Sequence, residues 1–201
     1  MAYPTVDAPY GMVPVNLLGG QVYAGQTRDF PIGSGETTAI FFGDVVTLNN
    51  DGNITKVTST ATATTIGVFL GCTYTDPNTQ QPIFRQSYPG AVAVAGMRAY
   101  VQDDPDQLYK VAVVSSGTTI GNLTQAAVGK NVSLVQNPGS TTNGNSRVAV
   151  LSTADTETTL PVRVVDVVPE TAVAGFPGSY TELIVRFNFG ISLYENATGR
   201  S

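Results

Sequence analysis

Apolar and polar residues alternate with a period of two along most of this chain, and this pattern constrains its fold more than any other feature. In the segment 180–189, Leu183, Val185 and Phe187 occupy every second position, and the polar residues Glu182, Arg186 and Asn188 fall on the opposite face. Successive side chains of a β-strand point to opposite faces, so this segment predicts a half-buried strand with those three apolar residues and Phe189 on its inner face. The segment 160–168 is almost continuously apolar, which predicts a strand buried on both faces.

Other segments rich in β-branched residues are bounded by glycine, proline and asparagine, and we predict that they are strands as well. They are 38–42, 44–48, 54–58, 67–74, 82–88, 97–101, 108–114, 132–135 and 146–151. Only 120–128 favours a short helix, and Gly121 weakens that prediction. About ten strands with at most one short helix predict an all-β protein, built as a β-sandwich or a barrel-like domain.

The first thirty residues have a different character, with Pro4, Pro9 and Pro14 spread among apolar side chains. Prolines at this spacing exclude a helix and are expected to interrupt a strand ladder. The segment is too apolar for a solvated tail. We therefore predict an extended arm over 1–30 that packs against a neighbouring subunit or wraps its own domain. Its predicted contact residues are Tyr10, Met12, Val13, Val15, Leu17 and Leu18.

The rest of the chain, 31–201, is long enough to form one β-sandwich or barrel-like domain. Two small β subdomains with a boundary near 76–92 are the alternative, and Asp76–Asn78 in that stretch is a turn signal.

Charge and hydropathy exclude several classes of partner. Only 12% of the residues are charged, where about 25% is usual, and the formal net charge is −5. A nucleic-acid binder must neutralise phosphates, and no cluster of Lys and Arg is present to do so. The sequence contains no run of 18 apolar residues, so no transmembrane helix is predicted. The first residues lack the pattern of a signal peptide. We expect neither a nucleic-acid nor a membrane partner.

The residues available for catalysis are few. The chain has no histidine and one cysteine, Cys72, so catalytic triads that use His, His-ligated metals and intrachain disulfides are excluded. Cys72 lies in an apolar run and is predicted to be a small buried hydrophobe. The cluster Asp103, Asp104 and Asp106 fits either a cation site or a turn between two strands, and we favour the turn. We predict no enzyme activity, no cofactor and no metal site.

Four segments carry a family resemblance: APYGMVPVNLLGG at 8–20, FGDVV at 42–46, GVFLGCTY at 67–74 and GKNVSLV at 129–135. With them the chain, over about 8–190, resembles virion structural proteins of tailed bacteriophages, including cyanophages, and looks like a capsid decoration or cement protein. The resemblance implies a homo-oligomer, commonly a trimer, on the outer surface of an icosahedral head, where it bridges subunits of the major capsid protein. Assembly in the host cytoplasm is expected. The shared motifs are structural, so no catalytic or ligand residue is inferred from them.

Other functions remain alternatives at this point. The polar loop 140–145 would suit a virion surface adhesin or glycan-binding module, and a tail or neck component would share the same composition. A hydrolase that uses Asp103, Asp104 and Asp106 is the third alternative and has the least support in the sequence.

Overall fold

The computed structural model describes residues 9–61, 64–171 and 180–197. The predicted arm therefore lies outside the described residues over its first eight positions, including Tyr3 and Pro4. The described chain forms thirteen strands and one short 3-10 helix, Gln125–Ala127, which confirms the all-β prediction. The strands are β1 Val13–Leu17, β2 Arg28–Pro31, β3 Val45–Leu48, β4 Ile54–Lys56, β5 Gly67–Thr75, β6 Pro82–Arg85, β7 Arg98–Gln102, β8 Gln107–Ser116, β9 Thr119–Ile120, β10 Asn131–Val135, β11 Ala149–Asp155, β12 Val162–Val167 and β13 Glu182–Phe187.

Strands from the second half of the chain form one sheet that closes on itself. The order β8-β11-β10-β12-β13 returns to β8, because β13 also pairs with β8 from Glu182 opposite Ala112 to Val185 opposite Tyr109. The β8–β11 pair is parallel and the other pairs are antiparallel. We call these five strands the C-terminal ring. The strands β1 and β9 pair with the edges of β8 outside this ring.

Strands from the first half form a second sheet in the order β2-β7-β5-β3-β4, with β6 paired to β5. A parallel bridge between Ile32, next to β2, and Ile54 in β4 brings the two edges of this sheet together. We call β2, β7, β5, β3 and β4 the N-terminal ring. The chain passes from this ring to the C-terminal ring at 103–106, whereas the predicted subdomain boundary near 76–92 falls between β5 and β7 of the N-terminal ring.

Each ring encloses apolar side chains. The N-terminal ring holds Ile40, Val46, Phe69, Tyr88 and Met97, among others. The C-terminal ring holds mainly valines, and its cluster also includes Val45, Val57 and Val68 from the N-terminal half. The two sheets therefore share a hydrophobic core, which stabilises them as one unit through burial of apolar area.

Several local predictions were wrong. The segment 38–42 makes only isolated bridges, at Ile40 and Phe42, because its partners are loop residues. A helix over 120–128 does not form beyond the short 3-10 helix. At its start, Gly121 packs on β8 so closely that a Cβ there would lie 2.4 Å from the Val114 carbonyl carbon. A glycine in that position allows β9 to pair with β8 instead.

Three other differences concern strands. β12 alternates between buried and exposed residues because its outer face meets solvent, so it is not buried on both faces. Phe189 lies beyond the end of β13 and is 77% exposed. The predicted extended arm contains a paired strand, β1, and the interruption expected from the prolines falls between Pro14 and Leu17 of its ladder with β8. Proline is tolerated there because β1 lies at the edge of the sheet.

Candidate interaction surface

The N-terminal segment inserts into the core at Gly11 and Met12. Met12 is fully buried in the core cluster of the C-terminal ring, and its backbone N–H donates to the Gly43 carbonyl at 2.9 Å. Gly11 has φ of +86°, and a Cβ at this position would lie 2.7 Å from the Ser146 Cβ. Only glycine fits such a close approach with positive φ. The chain is thus anchored before β1 begins.

Tyr10 adds a polar anchor on the outer side of β8. Its hydroxyl donates to Glu182 Oε1 at 2.5 Å, and Lys110 Nζ lies 3.5 Å from the same oxygen. The Lys110 ammonium also lies 5.6 Å from the centre of the Tyr10 ring, a cation–π distance. Burial raises the pKa of the Tyr10 hydroxyl above its ordinary value, and the hydrogen bond to Glu182 raises it further.

β1 continues into a hairpin whose outer side chains are apolar. Leu17 N–H donates to the Gln21 carbonyl at 2.8 Å, and Asn16 bridges to Val22. We call residues 13–22 the N-terminal hairpin. Its exposed apolar side chains are Val15, Leu18 and Val22, with exposed fractions of 38%, 46% and 82%.

The six predicted contact residues therefore divide into two groups. Four residues contact the chain itself: Met12 is buried in the core, Tyr10 is hydrogen-bonded to Glu182, and Val13 and Leu17 are half-buried in β1 beside β8. Val15 and Leu18 face solvent and remain available to a partner. In the described structure the segment wraps its own domain, which was one of the two alternatives. Val22 is exposed on the same hairpin but was not among the predicted contact residues, although an apolar residue just after Gly19–Gly20 is the signal that a hairpin returns there.

The acidic turn 103–106 supports the hairpin. Leu18 N–H donates to the Asp106 carbonyl at 2.9 Å, and Asp106 N–H donates to Asp104 Oδ1 at 2.9 Å. The second bond is typical of a turn closed by an aspartate side chain, so the turn interpretation is confirmed. In the parts of the chain that the structure describes, no three His, Cys, Asp or Glu residues are grouped to hold a metal ion.

Asp103, in the same turn, is paired with the chain's own groups. Arg28 Nε lies 3.2 Å from Asp103 Oδ2, and the Tyr194 hydroxyl donates to this oxygen at 2.8 Å. Partial burial and the bond to Asp103 raise the pKa of Tyr194 to about 12. These contacts join the turn to the C-terminal segment near β13.

Cys72 is buried in the N-terminal ring, as predicted. Burial raises the pKa of its thiol to about 11, and the nearby Arg85 lowers it by a smaller amount. The thiol is therefore protonated at neutral pH, which suits a packing role rather than a nucleophilic one.

The loop 140–145 is tightly hydrogen-bonded. Ser140 N–H donates to the Asn145 carbonyl at 2.8 Å, and Asn145 N–H donates to Asn143 Oδ1 at 3.0 Å. Beside it, Pro9 and Tyr10 border a cleft of about 130 Å³, which is small for a drug-sized ligand.

A larger groove lies on the outer wall of the N-terminal ring. It has a volume of about 460 Å³ and is lined by Phe42, Leu70, Phe84, Arg85, Gln86 and Tyr100, together with Gly71 and Cys72. No prediction from the sequence included this groove, because its side chains come from three strands and from the segment before β3.

Comparisons of the chain with protein-family models, with curated protein sequences and with solved structures found no match. No helix in the described ranges is both long and apolar enough to cross a membrane.

Proposed function

We propose that this protein is a structural component of a bacteriophage virion that decorates the outer surface of an icosahedral capsid. In this role it binds subunits of the major capsid protein as a homo-oligomer, with a trimer as the expected form, and stabilises the expanded head against the pressure of packaged DNA. The observation that carries the proposal is the N-terminal hairpin, which presents three exposed apolar side chains from a firmly anchored position.

The anchoring supports binding by a preformed surface. Because Met12 and Gly11 fix the start of the hairpin and Leu18 is hydrogen-bonded to the acidic turn, little conformational entropy is lost when a partner covers it. A low content of charged residues is typical of surfaces that are covered by neighbours, since interface cores are depleted in charge.

The expected energy per copy is modest. Complete burial of a valine or leucine side chain contributes about 1.5–3 kcal/mol, and these three are already partly covered. A trimer that engages several capsid subunits converts such weak contacts into strong attachment, because later contacts form at high effective concentration. Attachment of this kind needs contact area and multivalency rather than catalysis.

Substitution tests this proposal better than truncation, because removal of residues 1–20 would also take Met12 from the core. We would make the triple variant Val15→Ser, Leu18→Ser, Val22→Ser and the control Phe189→Ser, which removes an apolar side chain outside the hairpin that is nearly as exposed as Val22. Purified heads that lack the protein are incubated with each form, and bound copies per head are measured by quantitative gel analysis.

We expect the triple variant to bind at least about tenfold more weakly, because tenfold corresponds to only 1.4 kcal/mol. The control should bind as the unmodified protein does. Wild-type binding by the triple variant would contradict the role of the hairpin, and failure of the unmodified protein to bind heads would contradict the function itself. Imaging of virions adds a second measurement, since decoration predicts copies on the head in multiples set by icosahedral symmetry.

A further inference from the structure

The groove on the outer wall of the N-terminal ring lies between two aromatic side chains. Gly71 lies opposite Tyr100 of β7, and Thr73 lies opposite Phe84 of β6. Opposite residues of paired strands share a face, and so do alternate residues of one strand. Tyr100 and Phe84 therefore stand on the same outer face, with β5 and the bare backbone of Gly71 between them.

The surface between these two rings is apolar. Phe84 is 74% exposed, and the groove has a volume of about 460 Å³. Arg85 also borders the groove, but it lies opposite Cys72, so its side chain belongs to the other face, where it bonds to the Tyr74 hydroxyl at 3.2 Å. An exposed aromatic surface of this kind fits an apolar or aromatic occupant.

A small cleft connects the groove to Pro9. Pro9 and Asn145 line this cleft together, and Asn145 Oδ1 accepts a hydrogen bond of 2.5 Å from the side-chain amide of Gln86, which lines the groove. Eight residues precede Pro9, and an extended chain covers about 3.3 Å per residue, so they can span about 26 Å. The segment 1–8, which lies outside the described residues, is therefore long enough to cross the groove.

The sequence of this segment matches the surface that it would cross. Asp7 lies two residues before Pro9, and the exposed Arg147 lines the cleft beside Pro9 without an ion pair to any described residue. Tyr3 lies four residues before Asp7, about 13 Å along an extended chain, and supplies an aromatic ring. Pro4 restricts the residue before it to extended conformations, which lowers the entropy that docking costs.

We propose that the groove binds residues 1–8 of the same chain. The Tyr3 ring packs against Phe84 and Tyr100 over the Gly71 backbone, and the Asp7 carboxylate pairs with Arg147. Covalent attachment at Pro9 favours the chain's own segment over that of a second copy, because a short tether gives an effective concentration in the millimolar range. The groove and the N-terminal hairpin use different residues, so failure of either proposal leaves the other standing.

The test uses the full chain with a nitroxide spin label on Ala2→Cys, which leaves Tyr3 and Asp7 in place. Cys72 is buried with a protonated thiol, and intact mass verifies that one label is attached. Broadening of ¹⁵N amide signals is measured against the same sample after chemical reduction of the label. A second sample mixes spin-labelled chains that lack ¹⁵N with ¹⁵N chains that lack the label, so only contacts between copies broaden its signals.

Four substitutions in the spin-labelled chain test the contacts. Tyr3→Ala and Phe84→Ala each remove one side of the aromatic contact, and Phe189→Ala removes an exposed ring elsewhere as their control. Asp7→Asn removes the carboxylate proposed to pair with Arg147, and its control is Asp51→Asn in an exposed turn.

We expect broadening at the amides of 71–73, 84–86 and 98–100 in the labelled chain and not in the mixed sample. Tyr3→Ala and Phe84→Ala should each lower the docking equilibrium constant by about two- to tenfold, the contribution of one aromatic pair. Asp7→Asn should lower it by about twofold and remove its dependence on salt. The two control substitutions should leave the broadening unchanged.

Three results would overturn the proposal. The first is the absence of broadening at the groove amides in the labelled chain, which requires no groove variant to fold. The second is broadening of these amides in the mixed sample as strong as in the labelled chain, which would assign the groove to a second copy. The third is broadening that neither Tyr3→Ala nor Phe84→Ala reduces, which would mean that the segment passes the groove without docking in it.

Discussion

The side chains of Lys56 and Asp44 form a buried ion pair at the point where the two halves of the chain meet. Lys56 Nζ lies 2.9 Å from Oδ2 and 3.0 Å from Oδ1 of Asp44, and the carboxylate is fully buried. Ser146, which precedes β11, donates from its hydroxyl to Asp44 Oδ1 at 2.6 Å. Phe41 N–H donates to Oδ2 at 2.8 Å. One carboxylate therefore connects β4, the turn before β3 and the C-terminal half.

Replacement of Lys56 by methionine should destabilise the protein by about 3–5 kcal/mol. Methionine keeps much of the side-chain volume but leaves the Asp44 carboxylate buried without its cation, and this is the costly outcome for a buried pair. The free energy of unfolding is measured by urea denaturation at pH 7.

The matched control for this variant is Arg98→Gln. Arg98 pairs with Asp29 at 3.8 Å with both side chains well exposed, so its loss should cost less than about 1 kcal/mol. Equal destabilisation by the two variants would show that the Lys56–Asp44 pair contributes no more than a surface pair.

Gly11→Ala should be more destabilising than Gly20→Ala, although both glycines have positive φ, +86° and +82°. A Cβ on Gly11 would lie 2.8 Å from the Gly43 carbonyl oxygen, whereas a Cβ on Gly20 would meet nothing within 4 Å. Gly20→Ala should lower the free energy of unfolding by only about 1 kcal/mol, because alanine is strained at positive φ. Gly11→Ala should have this effect and should also displace Met12 from the core, which lowers the free energy of unfolding further.

Thermal and urea unfolding of both alanine variants provide the comparison. Gly11→Ala should lower the free energy of unfolding by about 2 kcal/mol or more beyond the effect of Gly20→Ala, which is the range for overpacking of a close contact. Similar values for the two variants would mean that the approach of Gly11 to Gly43 is not rigid.

Between pH 8 and pH 11, the stability difference between Tyr10→Phe and the unmodified protein should depend on pH only at the alkaline end. Below pH 10 the hydroxyl is neutral in both the folded and unfolded states, and loss of its bond to Glu182 should cost about 1 kcal/mol. The folded pKa is raised above the unfolded value of about 10, so the unfolded state ionises first as the pH rises and the native protein loses stability. The Tyr10→Phe variant does not lose stability in this way, because phenylalanine has no hydroxyl to ionise.

Urea unfolding of the two proteins between pH 8 and pH 11 measures the effect. The difference in free energy of unfolding between the unmodified protein and Tyr10→Phe should shrink above pH 10 and disappear near pH 11. The reason is that ionisation of one group in the unfolded state lowers the stability by about 1.4 kcal/mol per pH unit. A constant difference over the whole range would show that the Tyr10 hydroxyl ionises equally easily in both states.

Much of the fold follows from local sequence pattern, and the remainder follows from contacts between distant segments. Period-two alternation located β13, because its Leu183, Val185 and Phe187 lie in one core. Strands β3, β5 and β8 have residues in hydrophobic clusters on both faces, and their β-branched residues and bounding turn residues located them instead. The closure of each ring depends on pairings such as β8 with β13 and Ile32 with Ile54. Those pairings join residues far apart in the chain, and periodicity within one segment carries no information about its partner.

The same limit applies to the interaction surface. Composition identified the N-terminal segment as apolar, and Val15, Leu18 and Met12 were all predicted to be contact residues. Val15 and Leu18 are exposed, and their contact with a partner stays a prediction. Met12 is instead held in the core, because Gly11 allows a close backbone approach that no periodic pattern encodes. The groove was not predicted because it lies beside a register shift between β5 and β7, at Phe69 to Gly71. The pairing of two strands cannot be derived from the pattern of either one.

Labelling of Cys72 should report opening of the N-terminal ring, because it is the chain's one cysteine and is buried in that core. A thiol with a pKa of about 11 that is closed to solvent should react very slowly with a disulfide reagent at pH 8, and rapidly once the protein is unfolded in urea. If exposure requires global unfolding, the rate follows the population of the unfolded state. The Lys56→Met variant should then label at least about a hundredfold faster, as a loss of 3 kcal/mol implies. A rate that is unchanged in Lys56→Met would instead show that β5 opens locally around Gly71, without separation of the two rings.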